Sequence, residues 1–209
     1  MMENATWIVA PHSPSLPAFW PAVRSVYPSA PTITCNQGIE VFRPDFYVLF
    51  DMNACAKYRD AAKAAQAAGT KLVTLAKSPE SLKQRGVDHF DIFLELGGHR
   101  GTGPFPLFRP GEYADCGFSR LYALQFAINN GATHVLLLGM KGYPHKRGEE
   151  GYTKLQAIAD FVGSCLRQCP GVRFTFCARP RYELPPTDNY RVFDTPEQFT
   201  EEYSLCESN

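Results

Sequence analysis

The side chains that could do chemistry fall into four short stretches. Pro11-His-Ser-Pro-Ser15-Leu follows a short apolar run. Ser13 and Ser15 there offer hydroxyls and backbone N–H groups to a phosphate at the start of a helix. Ser15 also reads as that helix's N-cap, with Pro17 in its first turn. His12 is the polar residue out of place, a candidate to face a ligand. Asn36 and Gln37 carry amides that can hydrogen-bond a base or ribose. Asp51 closes the apolar run Phe46-Tyr-Val-Leu-Phe50; its carboxylate suits sugar hydroxyls, a metal or a helix cap. Gly139-Met-Lys141-Gly142 leads to His145, and an imidazole, with an ordinary pKa near 6.5, can act as a general base near neutral pH. Arg100 and Arg109, with Lys141, are the cations placed to meet an anionic substrate.

These residues need elements to hold them. Asp115 to Tyr143 is the organising stretch. Gly117 to Asn130 has helical length, with Phe118, Leu121, Leu124 and Ile128 at helical spacing. Asn129-Asn130-Gly131 stops it. His134-Val-Leu-Leu-Leu-Gly139 is the unbroken apolar run of a strand buried on both faces. Ligands in open α/β sheets bind beyond the carboxyl ends of such strands, so Gly139 to His145 is expected near the working site. Further strands are predicted at 6–10, 32–37, 46–50, 71–75, 91–94, 172–177 and 190–193, the last at an edge. Helices are predicted from about Ala18, over Lys57–Gly69 (rich in Ala), at Ser78–Ser81, and over Gly151–Gln168. A final helical turn opens at Thr195-Pro196. The fold class is therefore α/β, a Rossmann-like, open, mostly parallel sheet with helices on both faces. It forms one domain over 1–209, and the Gly/Pro-rich loop 97–111 serves as a lid. Phe105, Phe108 and Tyr113 read as exposed aromatics lining an acceptor groove or a contact between copies in a homo-oligomer.

Composition narrows the classes. The 209 residues carry 21 Lys+Arg against 21 Asp+Glu, a net charge of zero, which gives no strong nucleic-acid signal. No run approaches the roughly 20 apolar residues of a membrane helix. The N-terminus lacks the pattern of a signal peptide. Seven cysteines without a CxxC pair fit reduced thiols and a cytoplasmic location. Cys165 and Cys169 are spaced by a helical turn but lack further ligands, so no metal site is expected. No Gly-Lys-Ser/Thr phosphate loop is present.

Three motifs in order carry a resemblance. They are Ile8 to Leu16, with its Ser-Pro-Ser-Leu; Ile33-Thr-Cys-Asn36-Gln37 with Pro44-Asp45-Phe-Tyr-Val-Leu-Phe-Asp51; and Cys116-Gly-Phe-Ser119 to Ala127 with Gly131-Ala132 and Leu136-Leu-Leu-Gly139-Met. Over residues 6–140 the chain resembles the sialyltransferase-like Rossmann group. That group includes bacterial sialyltransferases using a CMP-activated sugar, and a phage and bacterial family related to the 6-hydroxymethylpterin diphosphokinase. Where that pattern has Gly-x-Gly-Pro-Ser-Leu, this chain has Ala10-Pro-His-Ser-Pro-Ser-Leu16. The resemblance implies Ser13 and Ser15 near phosphates, Asn36 and Gln37 near the nucleotide, Asp51 near sugar or ribose, and Ser119 facing the ligand. It implies a His general base, for which His145 is the first candidate and His12 the second. The expected activity is glycosyl transfer from a nucleotide-activated, CMP-linked sugar, by direct displacement. Two alternatives stand beside it: nucleotide binding or sequestration without turnover, and a Mg²⁺-dependent diphosphokinase using Asp45, Asp51 and Asp115.

Overall fold

The computed structural model describes residues 5–97, 108–142 and 152–206. Among them, eight strands form one open sheet. They are β1 (Thr6–Val9), β2 (Thr32–Cys35), β3 (Phe46–Val48), β4 (Lys71–Leu75), β5 (Ile92–Leu94), β6 (His134–Leu138), β7 (Arg173–Cys177) and β8 (Tyr190–Phe193). The spatial order is β5-β4-β3-β2-β1-β6-β7-β8. Every pairing is parallel. The chain builds outward from β1 to β5, returns to lay β6 against the other side of β1, and continues to β8. The direction of winding thus reverses between β1 and β6, which opens a crevice at the carboxyl ends of these two strands.

Alternation along the strands divides the core. Trp7, Val9, Ile33, Val48, Val73, Val135, Leu137, Phe174 and Phe176 face one side, under α4 (Ser119–Asn129) and α5 (Tyr152–Gln168). On the other side Ile8, Leu136 and Leu138 pack with α1 (Leu16–Val26) and α6 (Pro196–Cys206). There too, Tyr47, Leu49 and Leu72 pack with α2 (Met52–Ala67) and α3 (Pro79–Lys83). The fold is the Rossmann-like α/β sheet with helices on both faces.

Several local expectations change. β2 stops at Cys35, because Asn36 takes a left-handed conformation (φ 49) and starts a 3₁₀ turn, Asn36–Glu40. Helix α2 begins at Met52, not Lys57, because Asp51 caps it: its Oδ1 accepts from Asn53 N–H (2.8 Å) and Ala54 N–H (2.9 Å). The final turn is a helix of 11 residues, started by Thr195 accepting from Gln198 N–H at 3.4 Å. Helix α4 is buried from Leu121 to Ile128 on all sides rather than along one stripe. The segment before it folds back along its outer side, where Ala114 N–H donates to buried Gln125 Oε1 at 2.7 Å. Phe108, expected at the surface, is 1% exposed and packs edge-on against Phe161. Tyr113 is half-buried against the same core. Phe105 lies outside the described residues.

Candidate functional site

The crevice between β1 and β6 is built from two loops in direct contact. After β6, Gly139 adopts φ 97, and a Cβ there would lie 2.2 Å from the Pro11 carbonyl oxygen and 3.1 Å from Ser13 Oγ. Only glycine combines that conformation with that approach. On the other flank Gly38 presses on the β1 loop: its Cβ would stand 1.9 Å from Thr34 Oγ1 and 2.9 Å from the Ala10 carbonyl. Thr34 Oγ1 in turn donates to that carbonyl at 2.6 Å. The loop from Ala10 to Ser15 is therefore clamped from both sides, and its geometry is set before any ligand arrives.

Within the loop Ser13 is buried and Ser15 half-buried. Their hydroxyls bond each other at 2.9 Å. Ser15 does not close the helix start with its side chain, so α1 begins without a side-chain cap. Helix α4 also begins without one, at Ser119, and its amino end likewise lies at the carboxyl edge of the sheet. Two helix N-termini thus approach the switch point with no side chain closing them, and each presents backbone N–H groups and positive dipole ends. The third helix start nearby, that of α2, is the contrast, because Asp51 closes it with two bonds.

Asn36 sits at the end of β2 in its left-handed conformation, where its carbonyl accepts from Tyr47 Oη at 3.1 Å. Its Oδ1 is sealed from solvent without a hydrogen-bond partner. Gln37 beside it is half-buried, and His12 is exposed. Lys141 follows Gly139 and is half-buried. It lies by Asp194, whose carboxyl is held below its usual range by hydrogen bonding to Arg179, with the Arg179 and Lys141 charges adding to the effect.

Sequence reasoning did not single out Arg120. It stands in the first turn of α4, half-buried, next to buried Ser119. Burial pushes the Cys35 thiol up to about 12, and the Arg120 charge works against that shift. It acts the same way on the Tyr182 phenol, which burial also raises. Cys35 ends β2, and Tyr182 Oη donates to the Met140 carbonyl after β6 at 2.9 Å. The Arg120 charge is thus felt near the ends of β2 and β6.

Other candidates do not gather there. Arg109 lies beside the far end of α4, since Gly111 N–H donates to Asn129 Oδ1 at 3.0 Å and Asn129 Nδ2 donates to the Glu112 carbonyl at 2.8 Å. His145 and Arg100 lie outside the described residues. The three carboxylates of the diphosphokinase alternative are apart and engaged. Asp45 precedes β3, at the opposite edge, and accepts from Thr32 N–H and Oγ1 at 2.7 Å each. Asp51 caps α2, and Asp115 pairs with Lys77 at 2.6 Å and accepts from Tyr122 Oη at 2.8 Å. Among the described residues no cluster of three or more His, Cys, Asp or Glu could hold a metal ion.

A cleft of about 760 Å³ opens at the amino-terminal edge, lined by Thr133, His134, Arg167, Arg173, Thr187 and Asn189 among others. Arg167, Arg173 and Asp188 are its exposed charged side chains, but several neutral polar groups are closed to it. The Thr133 and Thr187 hydroxyls and Asn189 Oδ1 are sealed from solvent, so a molecule in the cleft does not reach them. Asn189 Nδ2 is turned to the Leu166, Cys169 and Val172 carbonyls at 3.0–3.1 Å, closing the end of α5. Cys35, Cys55, Cys116, Cys165, Cys169 and Cys177 are free and buried. No described helix is long and apolar enough to cross a membrane.

No protein-family model matches the sequence. No curated protein matches it either. Among solved structures, the chain is similar to the MAf glycosyltransferase from Magnetospirillum magneticum, at 16% sequence identity and a TM-score of 0.56. The match covers 98% of this chain and 37% of that one, so the chain spans a little over a third of that protein's length. At this identity the likeness shows the fold: an open parallel α/β sheet of the kind found in that glycosyltransferase.

Proposed function

We propose that the chain is a glycosyltransferase-like protein that binds a nucleotide-activated sugar across the β1/β6 switch point. The observation that carries this reading is the clamped Ala10–Ser15 loop in contact with Gly139, flanked by two helix N-termini that no side chain closes. Such an arrangement favours a phosphate. The fold shared with a glycosyltransferase supports the class of reaction. In this reading Ser13, Ser15 and Ser119 serve the phosphate, Asn36 and Gln37 the nucleoside, and Asp51 the ribose or sugar, with Lys141 balancing charge. The donor is a CMP-linked sugar, following the resemblance over residues 6–140.

The reaction is a direct displacement. The acceptor oxygen forms a bond to the anomeric carbon, the bond from that carbon to the phosphate oxygen breaks, and the nucleotide leaves with the electron pair. The acceptor's proton passes to a histidine, His12 or His145.

A thermal-shift screen against CMP, CDP, UDP, GDP, ADP, ATP and a CMP-sugar, with and without Mg²⁺, tests this. A ligand of the folded state at 100 times its Kd adds about 2.7 kcal/mol of stability. The expected result is a raised Tm with CMP and the CMP-sugar, independent of Mg²⁺. A shift with ATP that requires Mg²⁺ would favour phosphoryl transfer, and no shift with any of them would remove the nucleotide reading.

A further inference from the structure

Resting on that nucleotide reading, we propose that the connector 178–182, between β7 and β8, sets the loop after β6 for the donor's phosphate, with Tyr182 as its positioning residue. The connector begins on a strained residue. Ala178 has φ 103, a region that L side chains rarely adopt. Among the described residues only Asn36 shares a positive φ without being glycine, and each directly follows a strand at the carboxyl edge of the sheet. Strain of this kind persists only where the surroundings hold it, and it gathers at functional sites. Here Ala178 is buried, and its N–H donates to the Phe193 carbonyl at 2.9 Å. Arg179, next in the chain, grips Asp194 just beyond β8 with three contacts of 2.9–3.3 Å. The start of the connector is therefore fixed to the end of β8, and from there the chain crosses to the loop after β6.

Three contacts join it to that loop. Tyr182 Oη donates to the Met140 carbonyl at 2.9 Å. Arg181 N–H donates to the Lys141 carbonyl at 2.9 Å. The Tyr182 ring lies against Gly142, where an added Cβ would stand 3.4 Å from Tyr182 Cδ1. Burial raises the pKa of the Tyr182 phenol, so its hydroxyl stays a donor throughout the neutral range. Two successive carbonyls thus point at the connector. In a trans peptide the N–H points opposite to the carbonyl, so the N–H groups of Lys141 and Gly142 turn away from the connector. Gly139 presses the start of the loop against Pro11 and Ser13. The loop is held from the β1 side by that contact and from the β7 side by Tyr182. Of these holds, the Tyr182 hydroxyl is the one that a substitution removes while leaving the main chain and the ring in place.

Isothermal titration of CMP and cytidine into wild type, Tyr182→Phe and Tyr203→Phe, with hydrogen–deuterium exchange of the ligand-free proteins, tests the assignment. Tyr203 is the control: its Oη meets Thr175 Oγ1 at 3.2 Å on the α6 side of the sheet, away from this loop. The expected result is that Tyr182→Phe exchanges faster within 139–142 and loses roughly 3- to 10-fold in CMP affinity, with cytidine affinity within about 2-fold of wild type. Tyr203→Phe, which also gives up one hydroxyl, is expected to keep wild-type affinity for both and wild-type exchange in 139–142, even where its melting temperature falls. If Tyr182→Phe keeps wild-type CMP affinity, or if the two variants lose it equally, the assignment fails while the nucleotide reading stands. If Tyr182→Phe does not fold, the hydroxyl is structural and the assignment fails. If wild type binds neither CMP nor cytidine, the nucleotide reading fails and takes this assignment with it.

Discussion

Asp51 caps a helix and has a proposed second role at the ribose or sugar, and two substitutions separate them. Its Oδ1 caps α2 through two N–H groups. Asp51→Ala should cost about 1 kcal/mol of stability. Asp51→Asn keeps a capping oxygen, so its denaturation midpoint should stay near wild type while nucleotide affinity falls, if the carboxylate also meets the ribose or sugar. Wild-type affinity in Asp51→Asn would confine this residue to capping. His134 gives a second test, away from the site. Arg173 Nη2 donates to its Nδ1 at 3.1 Å, so Nε2 holds the proton and donates to Thr175 Oγ1 at 2.9 Å. Burial, with the Arg173 charge adding, lowers its pKa to about 3. The folded protein therefore resists a proton that the unfolded chain accepts near 6.5. Stability from this residue is full above that value and falls as pH drops towards 3, by up to about 1.4 kcal/mol per pH unit. Urea titrations at pH 7.5 and 5.5 should show this loss in wild type and a smaller one in His134→Gln; equal losses would contradict it. For the chemistry itself, His12→Ala or His145→Ala should abolish turnover while leaving nucleotide binding nearly intact. Turnover surviving both changes would overturn the base assignment.

At the scale of elements, Gly139 is the joint between the two halves of the sheet. Gly139→Ala meets both an unfavourable φ and a carbonyl 2.2 Å away. Gly69→Ala is the control, since Gly69 has φ 102 with no atom within 4 Å of the added carbon. Gly69→Ala should cost about 1–2 kcal/mol from conformation alone, and Gly139→Ala distinctly more, with loss of nucleotide binding. Equal costs in chemical denaturation would mean that the loop contact yields easily. These elements show what a sequence can and cannot carry. The strand at 71–75 was legible to the residue, and β6 nearly so, because central parallel strands are unbroken apolar runs. Gly139 was legible as a loop glycine beyond a buried strand, but its contact with Pro11 spans over a hundred residues and leaves no local trace. Asp51 reads as a possible cap, yet Met52 and Asn53 look unlike helix interior, so the sequence points to a later start for α2 than the one observed. Phe108 looks like a surface aromatic because Gly and Pro surround it; its burial depends on α5, far along the chain.

For the molecule as a whole, we propose the carboxyl edge at the β1/β6 reversal as the binding site. Topology favours it, while the cleft of about 760 Å³ lies at the other edge, where the Thr133 and Thr187 hydroxyls and Asn189 Oδ1 are sealed away but Arg167 and Arg173 stay exposed. The molecule thus offers two rival locations at opposite ends of the same strands. Hydrogen–deuterium exchange with and without CMP separates them directly. Slowed exchange is expected in residues 10–16, 36–40, 119–122 and 139–142, with 133–134, 167–173 and 187–189 unchanged. Protection confined to the latter set, or to neither in the presence of bound nucleotide, would contradict it.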